Sequence, residues 1–137
     1  MPKLNLATAS YREYDASMGV AVGTSVGKYQ AFPMTQLSAL APYGIFNVRP
    51  RLGQHEFHAR YLQRLDAHGD TIVASLTALA NANPRRALVL LCWCRIGSDD
   101  PMRPDGFCHR RMAAGWLERR LGVPVPELTL MRDQRLF

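Results

Sequence analysis

The stretch Ala87–Trp93, ALVLLCW, runs without polar alternation between Arg86 and a polar loop. A continuous apolar run of this length fits a strand covered on both faces, as in a parallel sheet. The residues on either side supply the covering layers. Upstream, Asp70 is placed to cap a helix carrying Ile72, Val73, Leu76 and Leu79 on one face, and Asn81-Ala82-Asn83-Pro84 stops it. Before that, His55–Ala67 sets Phe57, Tyr61, Leu62 and Leu65 at helical spacing, opposite Glu56, Arg60, Gln63 and Arg64. Downstream, a loop from Arg95 to Phe107 leads to a helix over Cys108–Leu121 that packs Met112, Ala113, Trp116 and Leu117. Glu127–Met131 reads as a last strand.

The first third follows the same alternation. Lys3–Ala9 predicts a strand, Ser10–Ser17 a short helix or turn, and Gly19–Thr24 a second strand running into Ser25-Val26-Gly27-Lys28. Pro33–Leu40 reads as a short helix closed by Ala41-Pro42-Tyr43-Gly44. Strands alternating with helices around one fully apolar strand predict a three-layer Rossmann-like α/β domain with a small, mostly parallel sheet, formed as one unit by residues 1–137.

The totals agree with one globular unit. The chain has 137 residues, 47% hydrophobic and 20% charged, which excludes a disordered or fibrous chain. The longest apolar run is far too short for a membrane span, and the N-terminal MPKLNLATASYREYD lacks a signal peptide's apolar stretch. A cytoplasmic protein is expected. Its 3 cysteines do not make a secreted disulfide framework. A net charge of +6 suits anionic partners: nucleotides, nucleic acid or phosphorylated metabolites. Arg85-Arg86 and Arg119-Arg120 lack interleaved aromatics, so a nucleic-acid surface of the sheet type is not indicated.

The residues richest in chemistry are Cys92-Trp93-Cys94 at the end of the apolar strand and Cys108-His109-Arg110 at the start of the next helix. Crevices of open α/β sheets lie beyond the carboxyl ends of the strands, and a helix amino end favours an anion or a thiolate. The helix must return beside the strand, so Cys92 and Cys108 are expected close together. Three readings compete. A Cys3His zinc site has an accepted ligand set but unusual spacing. A reactive Cys108 thiolate, with Arg110 or Arg111 holding an anion, lacks the phosphatase Cys-x5-Arg pattern because residue 114 is Ala. Cysteines packed as small buried hydrophobes at a strand–helix junction are the third. A second loop, Thr24-Ser25-Val26-Gly27-Lys28-Tyr29, offers hydroxyls, a glycine and a lysine after a strand, although it is not a P-loop.

Leu90-Leu91-Cys92-Trp93-Cys94, a polar loop, then Cys108-His109-Arg110 ahead of an apolar helix with Trp116, resembles the domain-of-unknown-function 488 family. That family carries an apolar strand ending Leu-Cys-aromatic-Glu, a loop, and Cys-His-Arg at a helix start. The resemblance is best over Leu88–Leu128. Upstream, Tyr11, Tyr14, Thr24-Ser25, Lys28-Tyr29 and the Phe57–Tyr61 helix echo the family's stand-alone bacterial and phage-like members. It implies a fold and a pocket more than a reaction. Where the family has Glu this chain has Cys94, so a general-base role for that carboxylate does not carry over.

The expectation is a pocket for a nucleotide or similar phosphorylated small molecule between the Thr24–Tyr29 loop and the Cys92/Cys108 junction. Lys28 and Arg110 contact anionic groups, Ser25 and the backbone at Cys108 supply hydrogen bonds, and Tyr11, Tyr14 or Trp93 stacks on a base. Thr24, Cys92 and Cys94 line the same pocket. No metal or cofactor is expected. Two classes of function remain: a binding module that sequesters a nucleotide signal, and an enzyme, a hydrolase or base-modifying activity, using Cys108 and His109. The missing glutamate tilts the balance towards binding.

Overall fold

The computed structural model describes residues 4–25, 33–42, 54–92 and 109–128. These form a four-stranded sheet, every neighbouring pair parallel, in the order β1 (Leu6–Ser10), β4 (Leu88–Cys92), β2 (Val20–Gly23), β3 (Thr35–Gln36). The apolar run is the inner strand β4, buried at all its positions. It pairs Leu88 with both Leu6 and Val20, and Leu90 with both Thr8 and Val22. The polar groups of a parallel ladder need partners on both sides, and only an apolar strand sits between two such neighbours without a penalty. The fold is therefore α/β and Rossmann-like.

Alternation along the strands splits their side chains between two faces. Leu6, Val22, Leu88 and Leu90 meet Phe57, Tyr61 and Leu65 of α1 (Gln54–Ala67), Ile72 and Leu76 of α2 (Gly69–Ala82), and Ala113, Trp116 and Leu117 of α3 (His109–Leu121). The other face carries the smaller cluster Ala9, Tyr11, Ala21, Val89 and Leu91, with Tyr14, Met18, Met34 and Leu128 packed against it. Among the described residues that second layer comes from turns and irregular segments, and the α-helices all share the first face. No described helix is long and apolar enough to cross a membrane.

Three expectations differ. Pro33–Leu40 is not a helix: Thr35–Gln36 forms edge strand β3, and only Ser38–Leu40 turns, as one 3₁₀ turn. Pro33 has no N–H, Thr35 is β-branched, and the open side of β2 accepts the segment, with Leu37 N–H donating to the Gly23 carbonyl at 2.8 Å. Asp70 does not cap α2. His68 holds the cap position with no side-chain cap bond, because α1 runs to Ala67 and α2 begins at Gly69. Asp70 lies two residues past the cap position, in the first turn, where it pairs with Arg120. The predicted last strand is represented by a bridge: Thr8 N–H donates to Pro126 O and Leu128 N–H to Thr8 O, laying Glu127 parallel to β1. Met131 lies outside the described residues.

Gly19 immediately precedes β2, at φ 144°, and a Cβ there would collide with the Ala87 carbonyl. Only glycine allows the chain to pass this close to the start of β4.

Candidate functional site

The carboxyl ends of β1, β4 and β2 and the amino end of α3 come together at one edge of the sheet. Side-chain parity decides which residues meet there. Cys92 continues the Leu88–Leu90 face and Thr24 the Val22 face, so both look towards α3. Tyr11 continues the Ala9 face and Ser25 the Ala21 face, so these two meet on the opposite side. The connections leaving β2 and β4 move in opposite directions: β2 leads outward to β3, while β4 leads through α3 to the Glu127 segment beside β1. The gap between the ends of β2 and β4 is thus the topological switch point, where open α/β sheets place ligands.

On the α3 side, the Thr24 hydroxyl donates to the Leu91 carbonyl at 2.8 Å. His109 Nε2 lies 2.8 Å from the Thr24 carbonyl oxygen and 3.2 Å from its Oγ1. A carbonyl only accepts, so Nε2 carries the hydrogen in this contact. The Tyr61 ring meets the imidazole edge-on at 5.7 Å and fixes its plane. Arg110, only 1% exposed, donates from Nη1 to Cys92 Sγ at 3.3 Å and from Nη2 to Glu127 Oε1 at 3.3 Å. Arg111 grips the same carboxylate with two bonds, Nε to Oε1 at 2.8 Å and Nη2 to Oε2 at 3.2 Å. Burial pushes the Glu127 carboxyl up, but the hydrogen bond from Arg111 and the charges of Arg110 and Arg111 outweigh it, leaving it below the usual glutamate range.

On the other side, the Tyr11 and Ser25 hydroxyls share a hydrogen bond of 2.7 Å. Burial raises the Tyr11 hydroxyl's pKa against the opposing pull of that bond, so it keeps its proton at neutral pH. Gln36 donates from Nε2 to the Ser25 carbonyl at 2.6 Å, tying the β2 end to β3. Ser10 is buried, with its Oγ accepting from Arg12 N–H.

Of the residues expected in the site, Thr24, Ser25, Cys92, His109, Arg110 and the hydroxyl of Tyr11 gather at this edge. The Tyr11 ring itself is packed in the second core cluster, 2% exposed, which takes its face out of reach of a base. Tyr14 turns away and donates to the Gly19 carbonyl at 2.6 Å, near the start of β2 and not its end. Lys28, Trp93, Cys94 and Cys108 lie outside the described residues, and so does the expected approach of Cys108 to Cys92. Cys92 is buried, its sulfur accepting from Arg110. Among the described residues no group of three or more His, Cys, Asp or Glu is placed to hold a metal ion.

Sequence reasoning overlooked Glu127, which it read only as a strand residue. A single acid after Pro126, in a segment that follows the Arg-rich helix, was the available signal. It also overlooked Ser10, the last residue of β1. A separate open groove of about 370 Å³ lies between β3 and α2, lined by Gln36, Leu37, Ser38, Thr71, Ser75, Leu79 and neighbours. Among the described residues lining it there is no charged side chain to meet a phosphate. Comparison with protein-family models, curated proteins and solved structures gives no match, so the resemblance drawn over Leu88–Leu128 rests on the residues quoted for it.

Proposed function

We propose that the chain binds a nucleotide or similar phosphorylated small molecule at the β2/β4 switch point, as a binding module and not as a catalyst. One observation carries this reading. Apart from Thr8, the buried polar side chains among the described residues, Ser10, Thr24, Ser25, His109 and Arg110, all stand at this one edge. Desolvating polar groups is costly, and a fold that gathers them at a switch point has a use for them there. The donor set suits an anion. Arg110 and Arg111 offer planar guanidinium forks in the first turn of the 13-residue helix α3, the end at which a helix dipole favours an anion. The hydroxyls of Ser10, Thr24 and Ser25 suit the donors and acceptors of a sugar or base.

The test is equilibrium dialysis against a nucleotide panel, with mass analysis of what is retained. A nucleotide recovered bound and chemically unchanged is the expected result. Arg111→Gln should weaken that binding by about tenfold, the loss of one charge-assisted contact, with little effect on folding because Arg111 is 40% exposed. Retention of no phosphorylated compound, or binding indifferent to Arg111, would refute the proposal. A ligand recovered altered would instead support the enzyme reading, in which Cys108 is the thiolate and His109 the adjacent base.

A further inference from the structure

We propose that Glu127 is a built-in competitor for the site's anion: its carboxylate occupies the Arg110–Arg111 guanidinium pair that an anionic ligand would take. The inference rests on the anion-binding reading above and adds a regulatory contact to it. Glu127 meets both arginines at once, Arg111 through two bonds at 2.8 and 3.2 Å and Arg110 through one at 3.3 Å. This is the fork-to-carboxylate geometry that a phosphate's oxygens would reproduce. The contact is also within reach of solvent, since the Glu127 side chain is 28% exposed and that of Arg111 is 40% exposed. An incoming ligand can therefore exchange with the carboxylate without prior unfolding.

Val125 anchors the segment before Glu127, buried in the core with its N–H donating to Glu118 Oε2 at 2.9 Å, so what displacement of Glu127 can release is its own bridge to β1. The segment adds to the outer edge of β1 through two backbone bonds, Thr8 N–H to Pro126 O at 2.8 Å and Leu128 N–H to Thr8 O at 2.7 Å, as an isolated bridge and not as a full strand. A phosphate dianion carries more charge than a carboxylate and wins the arginines at sufficient concentration. The displaced Glu127 then loses its ion pairs, and the bridge beside β1 loosens. Ligand occupancy of the arginine pair is thereby coupled to the Glu127 bridge beside β1. Coupling of this kind is reciprocal, so whatever pulls the segment away should tighten ligand binding.

The experiment compares the full chain with Glu127→Gln, which keeps the shape and removes the charge, using pyrophosphate and the nucleotide panel as probes. Glu127→Gln should bind pyrophosphate about tenfold more tightly, equal to about 1.4 kcal/mol of removed competition. In the unsubstituted chain, saturating pyrophosphate should speed hydrogen exchange at the Leu128 amide. Glu127→Asp, one methylene shorter, should fall between the two and covers the case in which Glu127→Gln folds poorly. Equal affinities in all three chains, with Leu128 exchange unchanged on binding, would overturn the competitor while leaving the anion site standing. No binding of any probe by any of the chains would overturn both.

Discussion

Leu90→Ala is expected to cost about 3–5 kcal/mol, the range for truncating a fully buried leucine where the surroundings cannot collapse. Leu90 is 1% exposed at the middle of β4, with Thr8 and Val22 paired to it on either side and the helical layer above. Strands on both flanks hold the backbone in place, so the cavity stays open. For a chain of this size the melting temperature should fall by roughly 10–15 °C. Urea unfolding should show the loss as a lower midpoint with an unchanged slope. Leu62→Ala, on a partly buried position of α1, is the control and should cost distinctly less. A loss below about 1 kcal/mol at Leu90 would mean that β4 is not the inner strand.

Arg110→Met is expected to be the most damaging change at the site itself. Methionine replaces the buried stem, so the substitution tests the guanidinium. That group donates to Cys92 Sγ and to Glu127 from a side chain 1% exposed. Loss of its charge-assisted bonds should cost about 1.5–3 kcal/mol. Sequence reasoning expects Arg110 to contact the ligand's anionic groups; its burial and ion pair add a structural duty. The pH dependence follows from Glu127. Its folded pKa lies below the usual glutamate value, so the folded state binds that proton less readily than the unfolded state. The pair's stabilisation is full above the usual glutamate range and is lost as the pH falls through that range towards the folded value. Arg110→Met should flatten this acid limb, because Arg111 alone then depresses Glu127. An acid limb of unchanged steepness would show that the Arg110–Glu127 pair contributes nothing to stability.

The inner strand, both central helices and the helix at His109 were legible because each has a strong period or none at all. ALVLLCW has nowhere to go but the middle of a parallel sheet, and Phe57, Tyr61 and Leu65 leave one face for α1. The clustering of Thr24, Ser25, Cys92, His109 and Arg110 was legible for the same reason: strand ends and a helix start must share one edge. What sequence did not reveal depends on pairing across long separations. Thr35–Gln36 becomes a strand only because β2 has an open side. Glu127 becomes a site residue only because its segment comes to lie beside β1, which brings its carboxylate against the start of α3. The inward packing of the Tyr11 ring is set by strand parity, one residue past the end of β1. No local motif encodes any of these.

The central claim is that a phosphorylated ligand seats at the β2/β4 switch point, and amide chemical-shift mapping during titration with the nucleotide selected by dialysis tests it most directly. Saturable shifts should concentrate at Thr24, Ser25 and His109 to Arg111, with smaller changes at Leu128. Shifts confined to the groove of Leu37, Ser38, Ser75 and Leu79, or spread over the basic surface without saturation, would contradict it.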